Sequence, residues 1–104
     1  MANYLFLYHG GSMPETDEAR QQSMKAWTDW FGELGSSVVD AGNPASQTRT
    51  VSADGADGST PSNPPTGYSV IRANDLDGAI RVARGCPVLH IGGTVDVVET
   101  IEVM

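Results

Sequence analysis

The chain has 104 residues and a mass of 11.0 kDa, enough for one domain and too little for multidomain machinery. Hydrophobic residues at 39% and charged residues at 18% describe a globular chain whose small core gains from a partner's surface. Six Lys and Arg against 13 Asp and Glu give a net charge of −7 with no basic cluster, which excludes nucleic acid and anionic membrane surfaces as partners.

Residues 4 to 8, YLFLY, are apolar at every position and end at Gly10 and Gly11. Five residues are too few for a helix or a signal segment, so they predict a strand covered on both faces. From Pro14 to Leu34 the pattern turns helical, with Met24, Trp27, Phe31 and Leu34 on one stripe, Thr16 or Asp17 as the cap, and Gly35 as the stop. A short strand at Ser37 to Ala41 precedes the turn at Gly42 to Pro44. Thr48 to Val51 then resumes an extended segment. Residues 53 to 67 hold no Ile, Leu, Val or aromatic and predict a mobile surface loop, either a lid or a plain connection. The third strand spans Gly67 to Ala73. A second helix, capped by Asn74 or Asp75, runs to about Arg84 with Leu76, Ala79, Ile80 and Ala83 as its stripe. A last strand covers Thr94 to Val103.

The order βαββαβ predicts a single α+β domain over residues 1–104, a ferredoxin-like sandwich. In it a four-stranded antiparallel sheet carries both helices on one face. Because the first strand is apolar on both sides, the bare face is expected to pack on a second copy, giving a homodimer. The lone Cys86 cannot form an intramolecular disulfide. With no basic, apolar leader pattern at the start, the expected location is cytoplasmic and the protein soluble.

Three stretches, YLFLYHGG, WTDWFGELGSSVVDAGNP and GYSVIRANDLDGAIRVARGCPVLHIGGTVDVVE, together resemble the YCII-related proteins of the dimeric α+β barrel superfamily. The resemblance spans nearly the whole chain and implies a dimeric barrel. Better-studied relatives pair a first-helix histidine with an aspartate near the second strand. Here the matching stretch, RQQSMKAW at Arg20 to Trp27, has no histidine, and Asp40 is the element that survives. The Asp-Gly-Pro-Phe motif of another branch is also missing, since SNPPT precedes Gly67.

His9 and His90 are the two histidines, and an imidazole titrates near neutral pH, so His9 at the end of the first strand is the leading acid–base candidate. Alternation in the last strand puts Glu99 in a row with Val95, Val97, Ile101 and Val103. Glu99 is then either a buried acid, free to pair with Arg72 or Arg49, or turned to solvent by a bulge at Val97-Val98. Trp30 sits one position off the helical stripe and either edges a pocket or packs in a dimer. No spacing suits a metal, a Walker loop or a dinucleotide, so no cofactor is expected. The resulting expectation is a small-molecule enzyme or ligand-binding protein with a cleft between sheet and helices. His9, Asp40 and Glu99 are its catalytic candidates, Trp30 and Arg72 its ligand contacts, and its ligand is small and uncharged or cationic. The alternative is a non-catalytic dimeric accessory module whose cleft is filled by its own side chains.

Overall fold

The computed structural model describes residues 1–54 and 58–103. Strand β1 is Ala2–Gly10, helix α1 Asp17–Leu34, β2 Val38–Asp40, β3 Pro65–Ala73, α2 Leu76–Ala83 and β4 Gly93–Glu99. Short 3-10 turns at Gly35–Ser37 and Pro87–Ile91 lead out of the two helices. The four strands form one antiparallel sheet in the order β2-β3-β1-β4, the ferredoxin-like α+β arrangement.

Local chemistry sets the boundaries. Thr16 caps α1 by accepting the amide of Ala19 at 3.0 Å, and Asp75 caps α2 by accepting the amide of Gly78 at 2.7 Å. After β2 the chain turns at Gly42, where φ is +77° and a Cβ would lie 1.7 Å from the carbonyl oxygen of Tyr68. No other residue fits there. The segment expected as a strand near Thr48 is instead held by isolated bridges, Pro44 to Gly67 and Thr50 to Ser59. Of the loop expected over 53–67, residues 55–57 lie outside the described residues, and Pro65 to Gly67 already belong to β3.

Alternation along β1 divides the sheet. Tyr4, Phe6 and Tyr8 point toward the helices and meet Ser69, Ile71 and Ala73 of β3, Ala79 and Ala83 of α2, and Trp30 of α1. The α1 aromatics seal this layer: Phe6 and Trp30 lie 6.4 Å apart by ring centroid, Tyr8 and Trp27 5.0 Å apart and edge-on. Phe6 and Ile71 are fully buried, each contributing on the order of 1.5–3 kcal/mol. Met24, placed by periodicity on this stripe, is 69% exposed, because the covered face of α1 runs through Ala19, Ser23, Trp27, Trp30 and Leu34 and leaves Met24 beside it.

The second face carries Leu5 and Leu7 of β1 with Tyr68 and Val70 of β3, all half-buried. No described helix crosses it. Cα extents of 44 × 40 × 18 Å describe a plate. Its radius of gyration, 15.2 Å, exceeds the roughly 13 Å of a compact chain this long.

Candidate functional site

β1 and β4 pair without a break from Tyr4 with Glu99 to Gly10 with Gly93. In that register Leu7 faces Asp96 and His9 faces Thr94, so Asp96 is the diagonal neighbour of His9 on the face away from the helices. The side chains meet: His9 Nε2 lies 2.9 Å from Asp96 Oδ2. His9 is only 7% exposed, whereas the Asp96 side chain is 63% exposed. The pair therefore joins a desolvated imidazole to a carboxylate that still reaches water.

The geometry also fixes the tautomer. An ionised carboxylate only accepts, so Nε2 carries the hydrogen and Nδ1 of the neutral ring keeps its lone pair. Nδ1 is buried and, among the described residues, has no hydrogen-bond partner. Directly after His9, Gly10 and Gly11 turn the chain at φ +68° and +90°. Gly93 allows the 3-10 turn to approach, since a Cβ there would lie 2.4 Å from Val88 Cγ2 and 2.7 Å from the His9 carbonyl oxygen.

The other candidates do not join this pair. Asp40 is exposed at the end of β2, where its Oδ1 accepts the amide of Gly42 at 2.8 Å and shapes the turn. Glu99 lies opposite Tyr4, five residues from the position of His9 and so about 17 Å along the strand. Neither outcome foreseen for Glu99 occurs. The register has no bulge, and the carboxylate stays on the Val95 and Val97 face, yet it is exposed because β4 ends there. Its Oε2 accepts from Tyr4 Oη at 3.3 Å, with no contact to Arg72 or Arg49. Burial, then the Glu99 charge, raises the Tyr4 pKa. Beyond Glu99, Ile101 and Val103 are each 78% exposed, correcting the longer strand expected. β1 begins at Ala2, and Thr100 closes the pairing with its amide 3.3 Å from the carbonyl of Asn3.

Trp30 is the buried residue of α1 and packs on Phe6, Trp27 and Phe31, so it edges no pocket. Arg72 is exposed opposite Asn3 at the far end of β3, and His90 is exposed in the second 3-10 turn. The buried thiol of Cys86 is pushed up to about 11 by desolvation, which makes it inert. Nearby, Tyr8 Oη donates to Ser69 Oγ at 2.8 Å and Ser69 Oγ donates to the Ala41 carbonyl at 2.7 Å, satisfying the polar atoms beneath the helices.

The space between sheet and helices, expected to hold a cleft, is filled by Tyr4, Phe6, Tyr8, Trp30 and Ile71. Two open grooves lie at the periphery, of about 450 and 360 Å³, and neither touches His9. Asp96 borders the second, between β4, α2 and the 3-10 turn. Among the described residues no group of three or more His, Cys, Asp and Glu converges as a metal site would require.

Asp96 is the partner of His9 that motif reading missed. Its signal was present in the alternation of β4: placing Val95 and Val97 toward the helices sends Asp96 to the face that carries His9. Searched against protein-family models the chain matches none, and no curated protein matches it.

Proposed function

We propose that this chain is a YCII-type, cytoplasmic small-molecule protein of the dimeric α+β barrel class, in which His9 and Asp96 form an acid–base pair on the open face of the sheet. The observation that carries this reading is the imidazole itself: 7% exposed, held through Nε2 by a carboxylate, and left with Nδ1 buried and unpartnered. Leaving a buried acceptor unsatisfied costs roughly 1–3 kcal/mol. A purely structural position would be filled at less cost by an apolar side chain.

The chemistry suits proton transfer on a small organic molecule, as in an isomerase or lyase. Nδ1 takes a proton from a carbon acid, and Asp96 stabilises the imidazolium that forms. Because Nδ1 is closed to solvent, substrate reaches it only through a local opening of the residues that cover the ring. A second copy covering Leu5, Leu7, Tyr68 and Val70 walls off this face and thickens the 18 Å plate.

The test follows exchange of carbon-bound protons of acetylacetone and dihydroxyacetone into deuterated water by NMR, with wild type, His9→Asn and Asp96→Asn. Wild type should exceed His9→Asn by at least about tenfold. Equal rates, including rates equal to buffer, overturn the acid–base reading. Light scattering behind a sizing column should give twice the 11.0 kDa chain mass, and a clean monomer at micromolar concentration removes the dimer. The second reading, a non-catalytic dimeric module, is favoured by the filled interior between sheet and helices.

A further inference from the structure

The open face of the sheet carries a charge pattern that a single copy leaves unused. On β1, Asn3, Leu5 and Leu7 mark successive rows of side chains on this face. Arg72 of β3 lies in the first row, opposite Asn3, and Asp96 of β4 lies in the third, opposite Leu7. Leu5 occupies the row between them, with Val70 on one side and Val98 on the other. Among the described residues, Arg72 and Asp96 are the only Lys, Arg, Asp or Glu that β1, β3 and β4 place on this face. In β2, Asp40 stands opposite Val70, but its Oδ1 is committed to the amide of Gly42 at 2.8 Å. The two charges are symmetric about Leu5: each is one row and one strand away from it, in opposite directions. They therefore lie about 16 Å apart, too far to pair within one chain. Among the described residues, the Arg72 side chain makes no hydrogen bond or ion pair, and Asp96 gives Oδ2 to His9 while Oδ1 stays free.

We infer that a second copy docks on this face through two reciprocal ion pairs, Arg72 of each copy meeting Asp96 of the other, so that Arg72 of the partner subunit completes the His9–Asp96 pair. The inference rests on the proposed face dimer and specifies its orientation. A two-fold interface is self-complementary, setting residue i on j and j on i. An axis lying in the interface and passing over Leu5, across the diagonal, exchanges its two ends. Each guanidinium then falls on the opposite carboxylate, and Leu5 falls on its own copy. Facing sheets stand about 10 Å apart, within the combined reach of an arginine and an aspartate. The alternative axis, along the diagonal, sets Arg72 on Arg72 and Asp96 on Asp96, and like charges oppose it. The apolar row supplies contact in either orientation, so the charges choose between them. Asp96 suits both of its contacts, since a carboxylate accepts from an imidazole through one oxygen and from a guanidinium through the other.

The experiment measures dimer dissociation by sedimentation equilibrium for wild type, Leu5→Lys, Arg72→Glu and Asp96→Lys, with circular dichroism verifying the fold of each. Wild type should dimerise and Leu5→Lys should not. Arg72→Glu and Asp96→Lys should each weaken the homodimer by about a hundredfold, because each creates like-charge contacts at both ends of the interface. Mixed in equal amounts, the two variants should associate within about tenfold of the wild-type affinity, because the mixed dimer joins every charge to its opposite. No change inside one chain produces that recovery. If the single variants dimerise as wild type does, or if their mixture stays monomeric, the ion pairing is overturned, while a dimer broken by Leu5→Lys still stands. A monomeric wild type, or a Leu5→Lys dimer of unchanged affinity, removes the face dimer and this inference with it. Should a charge-reversed variant unfold, Arg72→Gln and Asp96→Asn close a double-mutant cycle. Each should weaken the dimer by about tenfold and the two together by about the same; additive losses overturn the pairing.

Discussion

Replacing His9 by leucine separates a functional imidazole from a structural one, because the two roles predict opposite signs. The substitution removes the 2.9 Å bond to Asp96. Since that carboxylate is 63% exposed, the lost pair is worth at most about 1 kcal/mol, the range of solvent-screened ion pairs. The same substitution removes the buried Nδ1 lone pair, whose desolvation costs roughly 1–3 kcal/mol, and Asp96 is free to rehydrate. The net effect is a protein between about 0 and 3 kcal/mol more stable. For a domain of this size 1 kcal/mol moves the midpoint temperature by about 4–8 °C. The assay is equilibrium urea unfolding of wild type and His9→Leu at one fixed chain concentration, since association feeds into apparent stability. A loss above about 2 kcal/mol with an unchanged m-value refutes the reasoning and makes His9 a structural residue.

Three further outcomes follow from the same fold. Leu5→Lys puts a charge at the centre of the open face, opposite Val70 and Val98; it should yield a folded monomer by light scattering, and an unchanged dimer mass would place the interface elsewhere. Gly42→Ala demands a shift of the Tyr68 backbone at a position with φ of +77° and should cost about 2 kcal/mol or more by thermal unfolding; a cost below about 0.5 kcal/mol would contradict the turn. Cys86 is protonated in the fold, with a pKa raised from 9.0 to about 11. Stability from this group is therefore complete below pH 9 and is lost as pH rises through about 11, a change of roughly 2–3 kcal/mol. The buried Tyr8 phenol, raised by desolvation, adds in the same direction. Alkaline unfolding with thiol labelling should show Cys86 reacting only as the fold opens, and fast labelling at neutral pH would contradict its burial.

Much of the fold was legible because its signals are local. The all-apolar YLFLY, the cap at Thr16, the stop at Gly35 and the cap at Asp75 each act within a few residues, and the element order then restricts the topology. What the sequence did not reveal depends on register and on where elements end. Trp30 rather than Met24 reaches the core because the covered face of α1 is rotated toward Ser23 and Trp30, a choice that the sheet makes and the apolar spacing alone does not. Glu99 escapes burial because β4 ends there, at its last pair with Tyr4 of β1. The His9 pair follows from matching Gly10 to Gly93, a long-range registration that fixes which of two alternating faces Asp96 occupies. Asp40, singled out by resemblance, is accounted for by one hydrogen bond in its own turn.

Asp96 by itself has an ordinary explanation. β4 is an edge strand, and a charge midway along it discourages pairing with other chains. That role needs only the exposed carboxylate and would be served with any residue at position 9. It does not account for an imidazole taken nine-tenths out of water with one nitrogen unsatisfied. Edge protection also gives no reason for Gly93, whose missing side chain lets Val88 close against the backbone that carries the ring. The glycine and the imidazole belong to one arrangement, in which the 3-10 turn packs tightly behind a histidine whose free nitrogen is kept from bulk water. A desolvated acceptor of that kind gains most from a proton donor brought to it, which is what the proposed acid–base role asks of a ligand.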